Sequence, residues 1–211
     1  MKAVIFDLDG TLLNTLDDLA DATNAALRHF GCPERTKEEV RSFVGNGAER
    51  LIRLALPGKE DDPDVMEVLS WYKDFYAAHA HIKTCPYEGI MEALVAVKAE
   101  FPVAVVSNKP DEATKLLCKQ YFGDVYALGE GNGIPRKPAP DMVHRAMTDM
   151  GVEGCIYVGD SEVDVLTAKN AGVPCLSVLW GFRDRQTLLE AGAEHFCENP
   201  RDLLNKLREM M

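Results

Sequence analysis

Ala3-Val4-Ile5-Phe6-Asp7-Leu8-Asp9-Gly10-Thr11 is the stretch that decides the fold, because an apolar run passes directly into two acids and a glycine. The run predicts a buried strand with the acids at its carboxyl end. Side chains two positions apart in a strand share a face, so we expect Asp7 and Asp9 on one side and Leu8 in the core.

Two interpretations of this acid pair are open. Close carboxylates repel each other, a divalent cation relieves the repulsion, and such a pair can supply a nucleophile and a proton carrier. The alternative is structural, since an Asp beside a Gly often caps a turn. Because burying two carboxylates is costly without compensation, the catalytic interpretation is favoured.

The rest of the chain alternates between strand and helix patterns. Strands are predicted at 3–6, 103–107, 125–128, 155–158 and 175–179, and helices at about 88–100, 110–121, 138–150, 162–171 and 199–209. This alternation is typical of an α/β protein with a parallel sheet.

Residues 15–82 interrupt the alternation with a helical insertion. Helices are predicted at about 16–30, 36–43, 47–56 and 63–79, with a helix-breaking turn at 57–63. Trp71, Tyr72, Phe75 and Tyr76 form an aromatic stripe at helical spacing, which predicts a small core rather than a ligand platform.

Composition narrows the classes of partner. The formal net charge of −11 over 211 residues argues against nucleic acid and membrane as partners, since both reward clustered Lys and Arg. The apolar run at 3–6 is far too short for a signal peptide or a membrane span, so a cytoplasmic location is expected. The six cysteines lack metal-binding spacing and are expected to be reduced packing residues.

Polar residues also follow two later segments. Ser107 and Asn108 come after an apolar run, where they would either bind phosphate oxygens or cap the next helix. Lys137 lies in Arg136-Lys137-Pro138-Ala139-Pro140, where it would be either a rigidly placed charge anchor or an ordinary solvated lysine. The residues alone leave both choices open.

A third acidic segment follows the run 155–158. Asp160 is expected at the strand end and Asp164 about one helical turn further along. Both carboxylates can face one cavity. Hard oxygen ligands of this kind suit Mg²⁺, which takes its remaining oxygens from water and substrate phosphate.

Together these segments resemble the haloacid dehalogenase superfamily of phosphohydrolases over the whole chain. The matching motifs are Asp7-x-Asp9-Gly10-Thr11, Ser107, Lys137 and Gly159-Asp160-x-x-x-Asp164. The resemblance implies an α/β fold with a Rossmann-like three-layer parallel-sheet core, formed by 1–14 and 83–211, and an inserted α-helical cap domain at 15–82.

The resemblance also implies a mechanism. Asp7 is expected to attack phosphorus and form an aspartyl-phosphate, while Asp9 protonates the leaving group and then activates water. Mg²⁺ is the implied cofactor. Its expected site comprises Asp7, the main-chain carbonyl of Asp9, Asp160 and Asp164, the last of which would alternatively orient Lys137 or a metal-bound water.

Substrate contacts are expected from the core and from the insertion. Ser107 and Lys137 would bind the phosphoryl group, and Thr11 and Asn108 are further substrate-binding candidates. In the insertion, Asn46, Gly47 and Arg50 are the candidates for the leaving-group end, although Arg50 would equally serve as a solvent-facing helix residue. Arg183 would either face the site or form a surface salt bridge.

The implied partner is a small phosphorylated metabolite, bound by a monomer or homodimer. Softer similarities at 17–19, 44–52 and 86–90 favour the phosphoglycolate phosphatase branch of the superfamily. The alternatives are a phosphosugar mutase of the β-phosphoglucomutase type, a pyrophosphatase and a non-catalytic phospholigand-binding protein. The loop Asn46-Gly47-Ala48 lacks the basic residue typical of the mutases, which favours hydrolysis.

Overall fold

The computed structural model describes residues 2–58, 65–131 and 133–211. The chain divides into two compact units, Met1–Leu13 with Pro86–Met211 and, separately, Asn14–Cys85. The expected insertion at 15–82 lies within the second unit. Its interpretation as a cap stays a prediction.

Elements are numbered in chain order. The strands are β1 (Lys2–Phe6), β2 (Leu13–Asn14), β3 (Cys85–Pro86), β4 (Val103–Pro110), β5 (Tyr126–Glu130), β6 (Gly154–Gly159), β7 (Cys175–Val178) and β8 (His195–Cys197). The helices are α1 (Leu16–His29), α2 (Lys37–Phe43), α3 (Gly47–Ala55), α4 (Val65–His79), α5 (Ile90–Glu100), α6 (Asp111–Phe122), α7 (Asp141–Asp149), α8 (Glu162–Ala171), α9 (Arg185–Glu190) and α10 (Leu203–Met210).

The first unit is built on a six-stranded sheet in the described residues, with strand order β5-β4-β1-β6-β7-β8. Every pairing in this sheet is parallel. The predicted α/β parallel-sheet fold is therefore confirmed. Strand β8 and helix α9 are not among the predicted elements, because three and six residues are too few to show a periodic pattern.

Alternating residues of β1 cover the two faces of this sheet. Val4 and Phe6 pack with α5, α6 and α10, whereas Ala3 and Ile5 pack with α7 and α8. Burial of each of the larger side chains, Val4, Ile5 and Phe6, contributes about 1.5–3 kcal/mol to the free energy of folding. Because helices cover both faces, polar chemistry is confined to the ends of the strands.

The second unit contains four helices, α1 to α4, in its described residues. Tyr72 and Tyr76 are buried and stack at 5.6 Å, as the aromatic stripe predicted, whereas Trp71 and Phe75 are half-buried. The predicted turn at 57–63 and the first positions of the predicted helix 63–79 lie largely outside the described residues.

Asp18 of α1 organises the end of the second unit. Its carboxylate accepts hydrogen bonds from the main-chain N–H groups of Lys83 and Thr84 and from the Thr84 hydroxyl, at 2.7–3.1 Å. These bonds tie the segment before β3 to the first helix of the same unit. The buried carboxylate thereby has donors for both oxygens.

The six cysteines are free thiols. Burial raises the pKa of Cys118, Cys155 and Cys175 to about 12, so these thiols stay protonated and unreactive. None of the helices in the described ranges has the length and apolar character needed to span a bilayer.

Candidate active site

The strand order brings the predicted motifs together at one edge of the sheet. Strands β4 and β6 flank β1, and the N–H of Asp7 donates to the carbonyl oxygen of Val158 at 2.8 Å. The residues after β1 and β6 and at the end of β4 therefore share the carboxyl edge of the sheet, where parallel sheets bind ligands.

Lys137 lies at the centre of this edge. Its Nζ is 2.8 Å from Asp7 Oδ1, 2.8 Å from Asp164 Oδ1 and 3.0 Å from the hydroxyl oxygen of Tyr157. Only 2% of the side chain is exposed, which excludes the solvated-lysine interpretation. Burial alone would lower the pKa of Lys137, but Asp164 and Asp7 raise it well above its usual value, so the ammonium stays charged.

Asp7 is also buried. Its pKa is raised well above the usual value by burial, and the neighbouring Asp164 and Asp160 add to that rise while Lys137 opposes it. A carboxylate in this setting gains from any further positive charge nearby.

Asp164 is held on both of its oxygens. Its Oδ1 accepts from Lys137 and from the Tyr157 hydroxyl at 3.2 Å, and its Oδ2 accepts from the N–H and hydroxyl of Ser161 at 3.1 and 2.6 Å. A Cβ on Gly159 would overlap the Asp164 side chain. Of the two roles expected from the sequence, this geometry favours orienting Lys137 over direct metal binding.

The carboxylate of Asp160 is closely packed and accepts two hydrogen bonds. The Thr11 hydroxyl donates to its Oδ1 at 3.0 Å and the Phe182 N–H donates to its Oδ2 at 2.7 Å, while a Cβ on Gly10 or Gly181 would overlap the carboxylate. The geometry thus favours a positioning role for Thr11 over the substrate contact expected from the sequence.

The surroundings of Asp160 disfavour its ionised form. Burial and the nearby Asp164 raise its pKa to about 7, although the donors Phe182 and Thr11 and the charge of Arg183 oppose the rise. A bound cation would hold this carboxylate in its ionised form.

Asp7, Asp160 and Asp164 form a buried cluster in which one ligand atom from each lies within 4.8 Å of the others. Lys137 balances one of the three negative charges, and a divalent cation would balance the remaining two. All the donors are hard oxygen atoms, the type that Mg²⁺ prefers. The residues therefore fit the expected Mg²⁺.

Asp9 does not join this cluster with its side chain. Its two carboxylate oxygens are 2.8 and 3.0 Å from Nζ of Lys109, whose side chain is only 2% exposed. Sequence reasoning did not single out Lys109. The signal was its position directly after Ser107 and Asn108 at the end of a strand.

Ser107 and Asn108 are buried at the end of β4 and do not cap α6, which follows Pro110 and has no side-chain cap. The helix-cap interpretation is thereby excluded. Ser107 Oγ accepts from the Lys109 N–H at 3.2 Å. The Asn108 amide instead exchanges two hydrogen bonds with the main chain of Lys137, at 2.8 and 2.9 Å.

The loop after β7 also contributes to the site and was largely missed. Trp180 Nε1 donates to the carbonyl oxygen of Thr11 at 2.9 Å, next to the Phe182 contact with Asp160. Arg183 forms a salt bridge with Glu162 at 2.8 Å, and its charge also lowers the pKa of Asp160, so it combines features of both expected roles. Tyr157, which contacts both Lys137 and Asp164, was also missed.

Asn46, Gly47 and Arg50 belong to the second unit. Asn46 precedes α3, Gly47 is its first residue and Arg50 lies in its first half; all three are half-buried. Their role in leaving-group recognition stays a prediction.

The sequence of this chain is similar to those of known phosphatases. The model of the family described as haloacid dehalogenase-like hydrolase matches residues 4–178. Phosphoglycolate phosphatase 1 of Pseudomonas aeruginosa is 34% identical over 96% of this chain and 78% of that protein. Phosphoglycolate phosphatase of Vibrio parahaemolyticus is 34% identical over 97% of this chain and 95% of that protein.

The fold of this chain is also similar to that of a solved structure. A candidate phosphoglycolate phosphatase from Lactobacillus delbrueckii subsp. bulgaricus superposes with a TM-score of 0.89 at 35% identity, covering 98% of both chains. The expected resemblance and the expectation of an enzyme are confirmed. The family match over most of the chain and the relatives above 30% identity show that this chain belongs to the haloacid dehalogenase-like hydrolases.

Proposed function

We propose that this enzyme is a Mg²⁺-dependent phosphatase that hydrolyses a small phosphate monoester, with 2-phosphoglycolate as the favoured substrate. The observation that carries the proposal is the contact of Asp7 with the buried ammonium of Lys137, 2.8 Å apart, beside the acidic cluster. A carboxylate nucleophile and a fixed cation next to a divalent-ion site suit attack on a phosphoryl group. The names of the relatives support the choice of substrate.

In the first step, an oxygen of Asp7 attacks phosphorus while the bond between phosphorus and the ester oxygen breaks. Asp9 gives its proton to the departing alkoxide, so the alcohol leaves neutral. The product is an aspartyl-phosphate on Asp7. Lys137 and the Ser107 hydroxyl stabilise the charge that develops on the phosphoryl oxygens.

In the second step, water attacks the aspartyl-phosphate. Asp9, now ionised, takes a proton from this water, and the carboxylate of Asp7 is regenerated as inorganic phosphate forms. Asp7, Asp160 and the main-chain carbonyl of Asp9 would hold Mg²⁺, which offsets the negative charge shared by nucleophile and substrate. Asp164 keeps Lys137 in place through both steps.

Substrate choice is proposed to depend on Asn46, Gly47 and Arg50 of the second unit. A cationic Arg50 would suit a substrate that carries a carboxylate in addition to its phosphate. A cytoplasmic location and a monomer or homodimer as the working state stay predictions.

The test is a phosphate-release screen with Mg²⁺ present, over phosphoglycolate, sugar phosphates, nucleotides and pyrophosphate. We expect the highest kcat/KM with 2-phosphoglycolate and stoichiometric release of phosphate. Isomerisation of a sugar phosphate without phosphate release would instead identify a mutase, and a preference for pyrophosphate would identify a pyrophosphatase. The Asp7→Asn variant is the control for contaminating phosphatases.

A further inference from the structure

Lys109 is a buried lysine that contacts the expected proton carrier, Asp9. Its Nζ donates to Asp9 Oδ1 at 2.8 Å and to Asp9 Oδ2 at 3.0 Å. The lysine side chain is 2% exposed and that of Asp9 is 14% exposed. One ammonium therefore holds both carboxylate oxygens from the protein side, while part of Asp9 stays accessible to solvent or a substrate.

The main chain of Lys109 is fixed from several directions. Its N–H donates to Ser107 Oγ at 3.2 Å, and its carbonyl oxygen accepts from Thr114 Oγ1 at 3.2 Å. A Cβ on Gly129 would lie 2.6 Å from that carbonyl oxygen, so the neighbouring strand passes very close to it. The main chain of Lys109 is therefore fixed, and its side chain starts from a defined position.

We propose that Lys109 is the positioning residue for Asp9. An aspartate side chain at a solvent-accessible edge has several rotamers, and a donor that contacts both oxygens selects one of them. The ammonium thereby presets the carboxyl group from which the proton passes to the leaving oxygen. This inference rests on the proposed function, in which Asp9 is the proton carrier.

Positioning of a proton donor has a specific kinetic signature. An alkoxide such as the one released from 2-phosphoglycolate needs a proton as it departs, whereas p-nitrophenolate is stable without one. The value of kcat/KM covers the steps up to formation of the aspartyl-phosphate. Loss of positioning should therefore lower kcat/KM for the alkyl ester and spare the aryl ester.

The test compares Lys109→Met with Lys115→Met as its matched control. Methionine keeps the length of the side chain but removes its charge. Lys115 pairs with Asp111 on the same helix as an exposed lysine, with 56% of its side chain accessible. We expect Lys109→Met to lower kcat/KM for 2-phosphoglycolate about 10- to 100-fold and for p-nitrophenyl phosphate less than about threefold, since a positioned general acid supplies about 10²- to 10⁴-fold.

A double-mutant cycle with Asp9→Asn separates positioning from a general structural effect. If Lys109 acts through Asp9, Lys109→Met causes no further loss in the Asp9→Asn background. The double variant lacks both charges, so this comparison stands even if Lys109→Met alone folds poorly. An additional loss of tenfold or more in kcat/KM in that background would overturn the proposal. So would a loss in Lys109→Met that is equal for the two esters, or one that is no greater than the loss in Lys115→Met.

The same data distinguish failure of this inference from failure of the proposed function. If Asp9→Asn itself lowers kcat/KM equally for both esters, Asp9 is not the proton donor and the proposed mechanism is wrong. If Asp9→Asn spares the aryl ester but Lys109→Met does not, the mechanism stands and the positioning role of Lys109 is wrong.

Discussion

Asn108 and Lys137 exchange two hydrogen bonds that join the end of β4 to the loop carrying the lysine. Asn108 Nδ2 donates to the Lys137 carbonyl oxygen at 2.9 Å, and the Lys137 N–H donates to Asn108 Oδ1 at 2.8 Å. Both residues are buried. Because one side chain pairs with the donor and the acceptor of the same residue, it determines where the Lys137 main chain lies.

Replacing Asn108 with Ala leaves two buried main-chain groups of Lys137 without these partners. We expect Asn108→Ala to lower the free energy of unfolding by about 2–4 kcal/mol, since each unpaired buried group costs about 1–3 kcal/mol. The value of kcat/KM should fall about 10- to 100-fold, because the ammonium loses its exact placement. Chemical denaturation and phosphate release measure the two effects.

Asn170 provides the control for this prediction. Its Nδ2 donates to the carbonyl oxygen of Pro138 at 2.8 Å, in the same loop but at an exposed position. Asn170→Ala should cost less than about 1 kcal/mol, because water replaces the lost partner. Similar effects of the two variants on kcat/KM would contradict the role assigned to Asn108.

Asp7→Asn should abolish phosphate release, by at least about 10⁴-fold, because the amide keeps the shape of the side chain but is not a nucleophile. The folded state should be as stable as the unmodified protein or more stable. The reason is that burial and the neighbouring acids raise the pKa of Asp7 despite the opposing charge of Lys137, so that a neutral group is favoured there, and Asp164 remains as a partner of the Lys137 ammonium. Thermal unfolding without metal checks this, with Asp124→Asn as the control because Asp124 is an exposed acid. Substantial remaining turnover would exclude Asp7 as the nucleophile.

The stability of the metal-free protein should fall as pH rises from about 4 to about 7. Asp160 has a folded-state pKa of about 7, raised mainly by burial from the ordinary value of 3.8. The folded state therefore binds this proton more tightly than the unfolded chain, and the contribution is lost as pH rises through the folded pKa. Chemical denaturation in chelator across this range measures the effect.

Mg²⁺ should reverse this pH dependence, because it binds the ionised carboxylate and so stabilises the protein more at high pH than at low pH. The Asp160→Asn variant should lose the part of the pH dependence that Asp160 contributes and should respond less to Mg²⁺, while Asp7, whose pKa is also raised, keeps its own part. A Mg²⁺-induced stabilisation that is the same at both ends of the range would contradict the assignment. Phosphate release should also disappear in chelator and return with added Mg²⁺.

Gly181→Ala should weaken Mg²⁺ binding because the new Cβ would overlap the Asp160 side chain and the carbonyl oxygen of Gly10. We expect a loss of about 1–3 kcal/mol in the free energy of unfolding, typical of overpacking in a filled site. Isothermal titration with Mg²⁺ measures the affinity. Gly154→Ala is the control, since its Cβ would meet only the flexible side chain of Lys2 at 3.7 Å. Unchanged affinity in Gly181→Ala would show that the residues around Asp160 move to accommodate the new Cβ.

The sequence by itself determined the parallel sheet and most of the residues at its carboxyl edge. The run before Asp7 and the later apolar runs carry local patterns that predict strands, and a polar residue directly after such a run is placed by the end of its own strand. Asp7, Ser107 and Asp160 could be predicted for this reason. For Lys137 the sequence left two interpretations open, a charge anchor in the site and a solvated lysine. A lysine in a proline turn has the same local pattern in both cases.

Only the tertiary structure decided which of these groups contact one another. Lys109 and Asp9 lie 100 positions apart, and their pairing depends on β4 lying beside β1. Asn108 and Lys137 lie 29 positions apart, and their pairing depends on the path of the loop after β5. Tyr157 reads as an ordinary core residue until the sheet brings its hydroxyl to Lys137 and Asp164. Local patterns carry no information on such pairs, because each buried polar group is satisfied by a partner that is distant in the sequence and comes close only through the fold.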